Sequence, residues 1–214
     1  MKTLKVPQVL GLTFVLLSVG CLSYATVVAR GPDVDLTFVR DVPTKLTPDY
    51  LDKVIREVPR WPDWFYLGSK ANQIDFRGMP YPLQDQRLVQ GGMIEMLFDP
   101  HRLERDRFTL KYQVLDYVPR QKMTIRVVFD SKEALTKLFD RIDWTIEFLP
   151  NPYGGEEKTM IRGIETVHTA HWRARLFGKL VPSIFLNQIF YPNLLTLSAI
   201  NNPDTVHPFP PDNG

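Results

Sequence analysis

The chain is poor in the residues that do chemistry by themselves. One cysteine, Cys21, stands among 214 residues, which excludes an intrachain disulfide and a cysteine-based zinc site and leaves the fold to its core. An excess of one charge is also missing. Lys and Arg number 26 against 24 Asp and Glu, and Lys2 and Lys5 account for the difference. A neutral body has no net field to collect nucleic acid or an anionic surface, a local patch aside. There is no glycine-rich phosphate loop, no HExxH helix, no nucleophile elbow and no internal repeat. The only biased segment is the proline-rich tail 202–214, which reads as disordered. What is present is a hydrophobic content of 44%, with 12% aromatic, which excludes disorder as the main state. The length suits one domain with an appendage.

That appendage is residues 1–30. Residues 6–29 carry no charge, and a helix of 24 residues at about 1.5 Å each spans a hydrocarbon core. Lys2 and Lys5 precede it, so the positive-inside bias places the N-terminus in the cytoplasm and the body across the membrane. Three fates fit: an uncleaved anchor, a signal peptide cut after Ala25 that would release the body, or a lipoprotein signal cut before Cys21. The run is longer than a usual signal-peptide core, which favours the anchor.

From Asp33 onward the periodicity is that of a sheet. Val34, Leu36 and Phe38 alternate with Asp35 and Thr37, a half-buried strand. Thr47, Pro48 and Asp49 then supply an N-cap hydroxyl, a first-position proline and an early acid. Leu51, Val54, Ile55 and Val58 make an apolar stripe that Pro59 ends. Strand-like segments follow at 71–77, 86–98, 108–118, 121–130, 142–149 and 159–169. In 142–149, Ile142, Trp144, Ile146 and Phe148 oppose Asp143, Thr145 and Glu147. In 121–130, Met123, Ile125, Val127 and Phe129 oppose Thr124, Arg126, Val128 and Asp130. Gly91 and Gly92 mark a sharp bend. Residues 131–139 read as a short helix or an edge loop. Residues 180–200 are again uncharged, but Pro182, Pro192, Asn187, Gln188 and Asn193 argue for a helix lying across a curved sheet rather than a membrane span, with an interfacial helix touching the bilayer as a third reading.

The order strand, helix, six strands, long helix, together with Trp61-Pro62-Asp63-Trp64 and the 142–146 strand paired through a Gly-Gly turn with 159–169, resembles the START-like superfamily, also called SRPBCC. That superfamily includes polyketide cyclase/dehydrase-like proteins, lipid-transfer START domains and birch-pollen-type allergens. The resemblance spans about residues 33–200. It implies an α+β helix-grip fold: seven curved antiparallel strands around a long C-terminal helix, with a pocket for a lipid, isoprenoid or polyketide-like molecule. Trp144, Ile146 and Phe148, with Phe185 and Ile189 of the last helix, are expected to line it. Trp61, Trp64, Tyr112 and Ile164 join them, the two tryptophans as core anchors or as a gate.

Candidate chemistry is sparse. His168 and His171 at the end of a strand point to opposite faces, so no metal is expected; no cofactor is implied either. The charged segment 99–107 reads as a solvated loop. Glu147 and Glu165 read as exposed sheet positions. Were the pocket an enzyme of the cyclase/aromatase kind, Arg162, Glu165 or His168 would handle protons. The leading expectation is therefore a membrane-tethered module on the extracytoplasmic side that binds or transfers a hydrophobic ligand. The alternatives are that enzyme, or an envelope interaction module with a filled core.

Overall fold

A computed structural model describes residues 18, 20–24, 26–27, 34–99, 106–133, 135–137, 139–169 and 190–200. The first strand, β1 (Val34–Thr44), turns Val42 inward and Asp35, Thr37 and Asp41 outward. Helix α1 (Pro48–Arg56) starts where the capping residues predict: the Thr47 hydroxyl accepts from the Tyr50 N–H at 3.3 Å. Asp49 in its first turn and Lys53 and Arg56 in its last complement the helix dipole. Leu51, Val54 and Ile55 are buried. The helix ends sooner than the stripe predicts. Glu57 is extended, and Val58–Asp63 tightens into a 3-10 turn, because Pro59 and Pro62 cannot donate to a continuing α-ladder.

The remaining elements are β2 (Gly68–Ile74), β3 (Met93–Phe98), β4 (Phe108–Val118), β5 (Lys122–Asp130), β6 (Arg141–Pro150), β7 (Thr159–Thr169) and helix α2 (Phe190–Ala199). They form one curved, antiparallel seven-stranded sheet in the order β1-β7-β6-β5-β4-β3-β2. Strands β2 to β7 neighbour in sequence, whereas β1 crosses to pair with β7 from Val34↔Thr169 to Thr44↔Thr159.

Three differences from the periodicity have local causes. β2 stops at Ile74 because the Asp75 carboxylate accepts from the N–H groups of Arg77 and Met79, closing a turn through Gly78 at φ +81°. The segment 86–98 becomes a strand only at Met93. Its earlier part docks on the edge of β2, where the Gln86 amide takes the Gln73 N–H and donates to the carbonyls of Gln73 and Tyr81. The third is a β-bulge: Lys111 pairs with Phe129 but Tyr112 with Val127, leaving Val128 unpaired. The extra residue reverses the alternation, so Phe129 lies on the outer face and Asp130 is buried. The buried Asp130 carboxylate then accepts from Lys132 N and Leu135 N, which makes the described part of 131–139 a set of turns rather than a helix.

Helix α2 closes the inner face. Leu194 and Leu197 are buried, the Asn193 side chain accepts from Tyr66 N at 2.6 Å, and the Ser198 carbonyl accepts from the Thr44 hydroxyl at 2.9 Å. Residues 180–189, the rest of that apolar run, lie outside the described residues, as does the tail 201–214. So does most of the run 6–29; its described residues 18, 20–24 and 26–27 are helical, and all of them but the half-buried Ser18 are exposed. No helix among the described residues is long and apolar enough to cross a membrane.

Candidate functional site

Strands β6 and β7 divide their residues by parity. Inward go Ile142, Trp144, Ile146 and Phe148 of β6, and Ile161, Glu165, Val167 and Thr169 of β7, all buried. Outward go Arg141, Asp143, Thr145 and Glu147 of β6, and Arg162, Ile164, Thr166 and His168 of β7. Glu165 therefore cannot share a face with Arg162, Ile164 or His168.

That parity corrects three expectations. Arg162 lies on the outer face and forms a two-point pair with the Asp41 carboxylate, both contacts 2.8 Å. His168, also outside, sits with Nδ1 2.9 Å from Asp35. Ile164 lies between them on the same face, beside Val39 and Thr145, and lines no interior. Glu165 corrects the reading in the other direction. It is 5% exposed, next to Phe38 on one side and Trp144 on the other. The Trp144 indole N–H donates to it at 3.1 Å. Burial pushes its carboxyl up to about 8, only partly countered by that hydrogen bond. At neutral pH it is mainly a carboxylic acid, able to donate as well as accept.

Around this pair lies an aromatic interior. Phe65 stands 6.0 Å from Trp144 and stacks on Trp61 at 5.3 Å; Tyr112 lies 5.7 Å from Trp144. Trp64 packs against both Trp61 and Phe65. Trp61 and Trp64 are fully buried rather than at a rim, and the Trp61 indole N–H donates to the Ile55 carbonyl at 2.7 Å, tying the 3-10 turn to α1. Two further polar atoms are buried here without a hydrogen-bond partner among the described residues: Trp64 Nε1 and the Tyr112 hydroxyl. Burial, with the Asp130 charge nearby, holds that hydroxyl protonated far above the usual phenol range. Phe185 and Ile189 lie outside the described residues.

The outer face is built on opposite terms. Arg141 reaches both Asp35 oxygens at 2.8 Å, and Arg126 grips Asp143 at 2.7 and 2.9 Å. A cleft of about 450 Å³ opens where β5 and β6 part beyond Arg126. Its two arginines are those same paired ones, so it offers no spare cation to an anion. Glu147 faces outward, as the alternation predicts.

An antiparallel sheet in this order, with α1 after β1 and a C-terminal helix on its inner face, is the START-like helix-grip fold. Known structures agree. Norcoclaurine synthase from Thalictrum flavum superposes with a TM-score of 0.52 at 14% identity, over 78% of this chain and 87% of that one. The di-domain ARO/CYC StfQ of the steffimycin pathway gives 0.54 at 13%, over 78% of this chain and 50% of that one. Protein CV1439 from Chromobacterium violaceum gives 0.53 at 13%, over 79% and 99%. At such identities the likeness concerns the fold. No protein-family model and no curated protein sequence matches the chain.

Proposed function

We propose that this protein binds an apolar small molecule on the inner face of the sheet, with Glu165 as the polar anchor. The observation that carries the reading is a buried carboxyl with no charged partner among the described residues, set in an aromatic wall. A buried acid without a cation costs stability and needs a reason. The groups at hand specify the ligand's chemistry. Protonated Glu165, the Tyr112 hydroxyl and Trp64 Nε1 all donate, so an apolar molecule carrying carbonyl or hydroxyl oxygens would satisfy them. Among the fold neighbours, norcoclaurine synthase has been captured with dopamine and hydroxybenzaldehyde, which supports a small-molecule role for such a sheet. The uncharged run 6–29 supports a membrane tether with the domain on the extracytoplasmic side.

Glu165 also favours a second reading. A carboxyl that titrates near neutral pH suits proton transfer, so a cyclase/aromatase-type reaction on the same ligand would use it as acid or base. The test begins with organic extraction of the purified full chain and mass spectrometry of what is released. A stoichiometric apolar compound bearing oxygen is expected. An empty extract, after incubation with total membrane lipid, would sink the binding reading. With the compound in hand, Glu165→Gln separates the two roles: retained binding without turnover marks an enzyme, weakened binding alone marks a carrier.

A further inference from the structure

Strands β5 and β6 close against each other only in part. They pair from Lys122↔Glu147 to Arg126↔Asp143, whereas β6 stays with β7 from Arg141↔His168 to Pro150↔Thr159. Beyond Arg126 the described residues of β5 keep β4 as their ladder partner, and the cleft of about 450 Å³ opens on their other side. That volume is of a size that takes up a small molecule. At its lower end the two-pronged pair of Arg126 and Asp143 pins the last rung shut from outside.

The floor of this cleft is the core itself. Val127, Phe139 and Ile142 wall it at 8%, 8% and 4% exposure, and all three belong to the apolar cluster that fills the inner face. The two strand residues adjoin the rings of the binding wall. Val127 pairs with Tyr112 of β4, and Ile142 stands two residues before Trp144 on the same face. From the cleft to the indole that holds Glu165 is thus a single step along β6. Of the three walls, Val127 and Ile142 are fixed by their ladders with β4 and β7, but Phe139 stands on the turn between β5 and β6 and in no ladder. Its N–H donates to the Leu135 carbonyl and that of Asp140 to the His168 carbonyl, both at 2.9 Å. The backbone is therefore tethered, while rotation of the Phe139 side chain would break no hydrogen bond of the sheet.

We propose that an apolar ligand enters and leaves the inner face through this seam between β5 and β6, with Phe139 as its plug. The inference rests on the binding reading above, and the two fail on different measurements. The way in is timed first without a ligand. In the full chain carrying Cys21→Ser, one buried thiol is introduced by Ile125→Cys, opposite Trp144, or by Val54→Cys on α1, and its labelling by N-ethylmaleimide is followed. Phe139→Ala should speed labelling at position 125 by about tenfold or more and leave position 54 unchanged. Phe139→Leu, a milder truncation, should fall between wild type and Phe139→Ala. No acceleration at 125 overturns the proposal, and so does equal acceleration at both positions, which is general loosening. The ligand arm uses Prodan, an apolar naphthyl ketone that brightens on leaving water. In Phe139→Ala its association and release should quicken by one common factor, with affinity kept within about twofold. Faster release alone would make Phe139 a contact of the bound molecule and overturn the plug. A wild-type chain that takes up no Prodan counts against the binding reading, while the labelling at 125 still decides the seam.

Discussion

Asp143 and Glu165 sit one rung apart on the same strand pair and face opposite ways. Asp143, on the outer face, is gripped by Arg126 through two short contacts and also approaches Arg141 at 3.4 Å. Glu165, on the inner face, has one indole N–H for a partner and no cation among the described residues. The sheet therefore treats its two faces as different solvents. Outside, Asp35, Asp41 and Asp143 are each matched by an arginine, so these pairs ask little of stability and add little to it. Inside, one carboxyl is kept uncharged at a cost that the aromatic packing must offset.

The largest effect that would break this contrast is at Glu165. Its carboxyl titrates near 4.5 in the unfolded chain and at about 8 in the folded one. Between those values the unfolded state releases its proton while the folded state keeps it. Stability is thus full below about pH 4.5 and falls as pH rises to about 8, by on the order of 5 kcal/mol. Glu165→Gln should remove that slope and make the protein more stable than wild type at pH 8. Denaturant midpoints at pH 5 and pH 8 measure it. Parallel profiles for the two proteins would mean that Glu165 is solvated and the contrast between faces is false.

A smaller effect is expected from the aromatic wall. Trp61→Phe deletes the N–H bonded to the Ile55 carbonyl and shrinks a fully buried ring, at about 2 kcal/mol. Trp144→Phe should cost about 1 to 2 kcal/mol and leave Glu165 without its donor. The second change carries a signature the first lacks. With the one charge-stabilising contact gone, the Glu165 carboxyl should titrate higher still, extending the pH-dependent loss to more alkaline pH. Equal pH profiles for the two variants would show that the Trp144 contact does not tune the acid.

Much of this was legible beforehand. The strands 108–118 and 159–169 and the start of α1 follow from alternation and from Thr47-Pro48-Asp49. The faces of β7 were not: residues 160, 162, 164, 166 and 168 carry one charged side chain, Arg162, and residues 161, 163, 165, 167 and 169 also carry one, Glu165, so only the register against Trp144 assigns Glu165 to the inner face. What periodicity could not show was the bulge at Val128, since Phe129 and Asp130 continue the apparent alternation on the wrong faces. Nor could it show the end of β2: Ile74 and Phe76 read as one strand face until the Asp75 carboxylate turns back on its own backbone. Both misses arise where a side chain or an extra residue overrides the pleat.

The smallest effect sharpens the contrast from outside. The Arg126 and Asp143 side chains remain 36% and 18% accessible, and solvent screens their attraction although its geometry is two-pronged. Asp143 holds the Arg126 guanidinium even more firmly protonated, as its hydrogen bond favours the charged form. A double-mutant cycle of Arg126→Ala and Asp143→Ala should return a coupling of about 0.5 to 1 kcal/mol, shrinking as salt is raised to 1 M. Because Arg141 also approaches Asp143, Asp143→Ala alone should cost more than Arg126→Ala. A coupling of several kcal/mol, insensitive to salt, would mean that the outer face is as sheltered as the inner one. Glu165 would then owe its uncharged state to the lack of a partner and not to the side of the sheet it occupies.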